Sequence, residues 1–380
     1  MQYANNKYQL MRKILLVALA FAFVSKAQAQ ETNNAITTAT PFLLITPDAR
    51  AGGMADIGVA TSSDAFSMHH NASKMAFNEN QISIGVNYTP WLRNLVDDIF
   101  IGGVSYVNRH SENAAWAVDF KYFSLGKIDL TDINGQAVGT VNPNELALTG
   151  AYSLKLSEHF SMGVSLKYLH SNFKIPPVDS GLEPVNSFGV DVSGYYRSTE
   201  ENYGDFNGRY RVGFNIANIG PKVSYAPGSE DFIPTNLKLG GGFDFILDDF
   251  NTIGLHVEFT KLLVPTPQPD NSHLDEGWIS GLFSSFGDAP GGSSEELHEI
   301  TYAIGAEYLY GEAFALRAGY FNEHEFKGNR KYFTMGAGFQ ARAFSLDLSY
   351  LMNASDVNHP LENTLRFSLA FDLGEIYDDY

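Results

Sequence analysis

From about residue 80 to the C-terminus the chain repeats one pattern: a segment of near ten residues with apolar side chains at every second position, then a turn or loop. A period of two is the signature of a β-strand with one apolar face. The pattern predicts strands at roughly 80–88, 97–107, 114–124, 144–154, 160–170, 186–197, 209–218, 235–245, 250–261, 299–310, 313–321, 331–340, 343–352 and 364–373, about fourteen in all.

The charges keep off the apolar face. Phe160, Met162, Val164, Leu166 and Tyr168 alternate with Ser161, Gly163, Ser165 and Lys167. Phe188, Val190, Val192 and Tyr196 oppose Gly189, Asp191, Ser193 and Arg197. Ile253, Leu255, Val257 and Phe259 oppose Thr252, His256, Glu258 and Thr260. Leu365, Phe367, Leu369, Phe371 and Leu373 oppose Arg366, Ser368 and Asp372. A Lys or Arg facing lipid at mid-bilayer costs about 2–4 kcal/mol, so this segregation suits a membrane barrel.

A soluble two-sheet sandwich alternates in the same way, with its apolar face inward. Three features favour the membrane. Ten residues is the length a tilted strand needs to cross a bilayer, about 9–11, where soluble strands average about 5–6. Tyr88, Tyr106, Tyr152, Tyr168, Tyr196, Tyr308, Tyr320 and Tyr350 lie toward strand ends, as an interfacial girdle does. Long loops also alternate with short turns, and an even strand number leaves both termini on the short-turn, periplasmic side. Only 18% of residues are charged and 13% are aromatic, against about 25% charged in a typical soluble chain. The fold expected is all-β: an outer-membrane barrel of about fourteen antiparallel strands over 80–380.

Residues 1–29 read as an export signal. Met11-Arg12-Lys13 leads into the apolar run 14–24, too short to span a bilayer, and then the small-x-small pattern Ala27-Gln28-Ala29. Cleavage there removes four cations (Lys7, Arg12, Lys13, Lys26) and takes the net charge from −18 to about −22. Such an acidic chain is a poor partner for nucleic acid. The absence of cysteine excludes disulfides, thiolate metal sites and a lipid-modified N-terminal Cys.

Residues 30–79 lack any ten-residue strand and are punctuated by small residues: Pro41–Ile45, Asp48–Met54, Gly58–Ala60, Asp64-Ala65 and Asn71-Ala72-Ser73. A lumen this wide is not filled by barrel side chains alone, so a compact segment before it is expected to act as a hatch. Arg50, Met54, Asp56, Asp64 and Asn71 are its candidate contact residues, with Arg50, Asp56 and Asp64 expected to pair with luminal charges such as Glu258, Glu307 or Asp347.

The hatch-then-barrel arrangement resembles the FadL-like superfamily of outer-membrane proteins, which often carry Asn-Pro-Ala before the first strand; here Asn71 is followed by Ala72-Ser73. The run PFLLITPDARAGGMADIGVATSSDAFSMHHNASKMAF (41–77), with WLRNLVDDIF (91–100) and the closing LRFSLAFDLGEIYDDY (365–380), resembles the PorV family (also called LptO) of the Bacteroidetes type IX secretion system. That resemblance implies a protein that binds the translocon barrel SprA, accepts secreted cargo through its C-terminal domain, and escorts it to the cell-surface attachment complex. Contact with the lipid bilayer, and with lipopolysaccharide, is implied as well. Two other classes remain open: a FadL-like transporter of hydrophobic solutes, and an outer-membrane lipopolysaccharide acyl hydrolase.

The longest connection, 262–298, offers Trp278, Ile279, Leu282, Phe283 and Phe286 on an otherwise polar loop. Such a cluster marks either a contact surface or a lid over the barrel mouth. The Pro-rich 174–186 loop and the Trp91-Leu92-Arg93 loop read as ordinary surface, with Trp91 an interfacial anchor. No Gly-x-Ser-x-Gly elbow and no His-Glu-x-x-His occurs, so no catalytic residue, cofactor or metal is expected. His69-His70 and Glu323-His324-Glu325 read as solvated turns.

Overall fold

The computed structural model describes residues 34–91, 98–174, 182–311, 313–341, 343–355, 362 and 364–377. Residues 1–33, which hold the expected export signal, lie outside the described residues, as do 92–97 and 175–181 of the two minor loops and 378–380 of the tail.

Fourteen strands form a closed antiparallel barrel: β1 Asn80–Pro90, β2 Ile99–Arg109, β3 Ala114–Leu125, β4 Asn144–Lys155, β5 Phe160–Asn172, β6 Val185–Arg197, β7 Asn207–Ile219, β8 Asn236–Ile246, β9 Asn251–Leu262, β10 Thr301–Tyr310, β11 Phe314–Asn322, β12 Lys331–Ala341, β13 Phe344–Asn353 and β14 Leu365–Ile376. Each strand pairs with its sequence neighbours, and β1 closes the ring against β14, with Val86 opposite Leu369. All fourteen expected segments are strands. The last continues past Leu373 into the acidic tail, where Ile376 pairs with Asn80.

The alternation sets the faces. Val164 and Leu166 are 52% and 61% exposed on the outer wall, while Ser161 and Ser165 between and beside them are buried. The same holds for Val212 against Arg211, Leu255 against His256, and Phe367 against Arg366. A sandwich would bury the apolar set; this protein turns it outward. An 11-residue strand such as β1 is about 36 Å long at 3.3 Å per residue; tilted by ~45° it spans about 25 Å, the height of the apolar band of such barrels.

The inward charges are paired between strands, most often neighbouring ones. Lys167 Nζ meets Asp191 at 2.8 Å, Lys238 Nζ meets Glu258 at 2.9 Å, and Arg211 pairs with Asp244. Arg317 bridges Glu307 at 2.7 Å and Asp347 at 2.6 Å. Ionisable groups taken out of water persist only with such partners.

Seven connections leave one end of the barrel, the longest among them, and six leave the other, all short turns but the β6–β7 connection 198–206. The long side carries local structure that alternation alone does not signal: a hairpin of Ile128–Thr131 with Ala137–Val141, another of Val223–Ala226 with Ser229–Asp231, and two short helices, α1 Trp278–Ser284 and α2 Ser293–His298.

Candidate functional site

Residues 34–79 pack against the inward faces of the strands. Their local structure is short because their residues cap and turn rather than propagate. Asp48 accepts a hydrogen bond from Ala51 N at 2.8 Å and caps a single helical turn, Ala49–Gly52. Asn71 accepts from Ser73 N at 3.0 Å and caps the 3-10 turn Ala72–Phe77. Between them Ala55 and Asp56 adopt left-handed backbone angles, φ 57° and 68°, a conformation costly for residues with a side chain. Asp56 is held there by Tyr332, whose hydroxyl donates at 2.7 Å, and by Arg366. Glycine on the wall allows this backbone to come close: a Cβ at Gly319 would sit 2.5 Å from Ala55 N, and one at Gly163 2.5 Å from Ser73 N.

The expected hatch residues are placed as follows. Arg50 donates from Nε to Glu307 Oε1 at 3.1 Å and from Nη2 to Glu307 Oε2 at 3.0 Å. Its Nη1 reaches Asp64 at 2.8 Å, so Asp64 pairs within the segment rather than with the wall. Asp56 pairs with Arg366, not with an acidic group, as charge requires. Glu258 accepts from the backbone N–H groups of Gly58 and Val59, each at 2.9 Å. Met54 is fully buried and packs with Ile57, Ala303, Tyr332 and Leu351. Asn71 Nδ2 donates to Val59 O at 2.8 Å and Gly194 O at 3.0 Å.

The reading of His69-His70 as a solvated turn is corrected. His70 is buried, with Nε2 2.7 Å from Asp48 Oδ2, and His69 Nε2 lies 3.2 Å from Asp119 Oδ1. Lys74, also buried, donates from Nζ to Gly58 O at 2.7 Å and Thr61 Oγ1 at 2.9 Å. Burial pulls its ammonium down from 10.5 to about 8. Burial pushes the Asp48 carboxyl up, but His70 beside it outweighs this and holds it well below the usual range. Asp56 is likewise raised by burial and lowered further by Arg366. A sequence signal for these residues existed only in their position in the strand-free run that precedes β1.

The outer loop behaves differently. In α1 the helix is seated by Gly281, where a Cβ would lie 3.0 Å from both the Phe232 ring and Pro265. Trp278 and Leu282 are half-buried, while Ile279, Phe283 and Phe286 are 56%, 75% and 54% exposed. Below it, Lys261 Nζ bonds Glu299 at 2.6 Å and Lys327 Nζ bonds Glu295 at 2.5 Å and Glu299 at 3.0 Å. Glu323 is buried against Arg330 at 2.7 Å, and the His324 ring stacks on His298 with centroids 3.6 Å apart, so this turn is not simply solvated either. Trp91 packs against Phe123, ring centroids 5.5 Å apart, in an apolar cluster with Phe42 rather than on the lipid face. Among the described residues no group of three or more His, Asp or Glu is placed to hold a metal ion.

The fold has known counterparts. The TodX monoaromatic hydrocarbon channel, as its ΔS2S3 mutant, superposes with a TM-score of 0.52 at 11% identity, over 85% of this chain and 97% of that one. A FadL homologue of Pseudomonas aeruginosa aligns over 90% of this chain and all of its own length, at 11% identity and a TM-score of 0.44. No curated protein sequence matches. The family model described as "Type IX secretion system protein PorV" matches residues 28–269, more than half of the chain. With a closed fourteen-stranded barrel, an outward apolar wall and that match, the chain belongs to the PorV family of outer-membrane type IX secretion system proteins.

Proposed function

We propose that this outer-membrane component of type IX secretion works without catalysis, as a docking protein. It binds the translocon barrel, SprA in the family, takes over secreted cargo by its C-terminal domain, and hands it to the cell-surface attachment complex. The observation that carries the reading is α1 with the turn that follows it: three large apolar side chains, Ile279 and Phe283 on the helix and Phe286 just after it, held out from a loop whose base is fastened by buried ion pairs. Exposed apolar groups on a rigid base lose little conformational freedom on binding, which is what an interface anchor needs.

The interior favours this reading over solute transport. The cavity beside Leu43–Pro47 measures about 50 Å³ and is lined by polar and apolar groups alike, with Lys121, Lys167 and Lys238 among them, where small-molecule pockets run to about 300–1,000 Å³ and are mostly apolar. A hydrolase needs a nucleophile and base at the outer rim; the His–carboxylate pairs His70–Asp48 and His69–Asp119 lie in the interior.

The test is affinity purification of the tagged full chain from native membranes, with Ile279→Ser, Phe283→Ser and Phe286→Ser combined. The barrel should still fold, seen by its heat-dependent shift on gels, while recovery of the large barrel and of secreted cargo is lost. Undiminished recovery of both would reject α1 as the docking element.

A further inference from the structure

The segment 34–79 has a direction. At its start, Asn34 N donates to Phe326 O at 3.1 Å, Asn34 Nδ2 to Pro267 O at 3.2 Å and to Glu295 at 3.1 Å, and Lys327 Nζ donates back to Asn34 O at 3.1 Å. Ala39 N donates to Phe232 O at 2.9 Å. Every one of these partners belongs to a long connection: β7–β8, β9–β10 or β11–β12. At its end, Ser161 Oγ donates to Ser73 O at 2.7 Å, Phe77 lies edge-on to Tyr195 at 5.5 Å, and Arg109 Nη1 donates to Asn78 O at 2.7 Å. Those partners flank the short turns.

We infer that the chain is threaded through its own barrel from the cell surface to the periplasm, so that residues 34–38 are displayed on the outside of the cell. Long loops mark the outer face of such barrels and short turns the periplasmic face. The segment therefore enters the lumen from outside, fills it, and leaves at the bottom to begin β1. Its outer end is also a strap. Asn34 joins two loops through Glu295, Lys327 and Phe326, and Ala39 holds the Phe232 whose ring supports α1 at Gly281. The apolar helix thus rests on the same strand of backbone that runs down through the lumen. The inference depends on which end of the barrel faces outward and not on what α1 binds.

Because the chain has no cysteine, a single one reports alone. Thr37 is exposed near the strap, Asn134 lies at the exposed tip of a long connection, and Glu158 in the exposed short turn between β4 and β5. Thr37→Cys, Asn134→Cys and Glu158→Cys would be treated with a membrane-impermeant maleimide on intact cells, each variant first shown to be folded by its heat-dependent gel shift. The expected result is that Thr37→Cys is labelled to the extent of Asn134→Cys, and that Glu158→Cys stays unlabelled until the outer membrane is permeabilised. Labelling of Thr37→Cys only after permeabilisation, in step with Glu158→Cys, would overturn the threading. Labelling of Glu158→Cys on intact cells with protection of the other two would overturn it equally. Partner recovery does not enter this readout, so its failure is separable from failure of the docking role.

Discussion

Arg50 and Glu307 face each other through two parallel hydrogen bonds, Nε to Oε1 at 3.1 Å and Nη2 to Oε2 at 3.0 Å, with both side chains largely withdrawn from solvent. The pair ties the N-terminal segment to β10. Glu307 also accepts from Arg317 Nε at 2.7 Å, and Arg50 also holds Asp64, so the two form the middle of a chain of alternating charge. Arg50→Met leaves Glu307 with one cation, and Glu307→Gln leaves two cations with one carboxylate each.

Each of these single substitutions should lower the stability of the detergent-solubilised barrel, and Glu307→Gln should do more harm because it takes a carboxylate partner from two buried guanidiniums at once. Contacting charged residues couple by about 0.5–3 kcal/mol in double-mutant cycles, and a coupling in that range is expected from thermal unfolding of the four proteins followed by circular dichroism. Strict additivity would mean that the segment is not held by this pair.

Close approach of backbone to wall makes a second, sharper expectation. Gly319→Ala places a methyl 2.5 Å from Ala55 N and from Met54 C, with no flexible side chain to yield. Overpacking of this kind costs about 1–3 kcal/mol. Gly150→Ala, on β4, meets nothing within 4 Å and should be neutral or slightly stabilising, since alanine restricts the unfolded chain. Limited proteolysis of residues 34–79 in the two variants gives the comparison: accelerated cleavage is expected for Gly319→Ala and wild-type kinetics for Gly150→Ala.

Two groups in the segment predict opposite arms of a pH profile. Asp48 has a folded value held below the unfolded carboxylate value, so its contribution is complete above about pH 4 and is lost as pH falls below it. Lys74 loses its proton at about 8 in the fold but near 10.5 when unfolded, so the unfolded chain binds the extra proton between those values and stability rises as pH climbs through them. Lys74→Met should flatten the rise between about pH 8 and 10.5 in the thermal midpoint while leaving the acid arm intact. An unchanged alkaline arm in that variant would assign the rise to other groups.

The barrel was legible in the sequence because the bilayer imposes a local rule. Every strand must set apolar groups at i, i+2 and i+4 whatever its neighbours do, so Val164 and Leu166 announce their face without reference to any other strand. The candidate site obeyed no such rule. Asp56 finds Arg366 310 residues away, and Arg50 finds Glu307 257 residues away. The lumen is polar, so a buried His70 or Lys74 looks in sequence like a solvated one, and burial there is set by the closing of the ring rather than by the residue's own hydropathy. The sequence by itself determined the strands, their faces and the long–short alternation of loops. Only the tertiary structure decided which charges meet, how the left-handed Asp56 is held, and that Asn34 lies among the long loops while Asn78 lies among the short turns, because each of these depends on which distant strands the closed barrel brings to the same height.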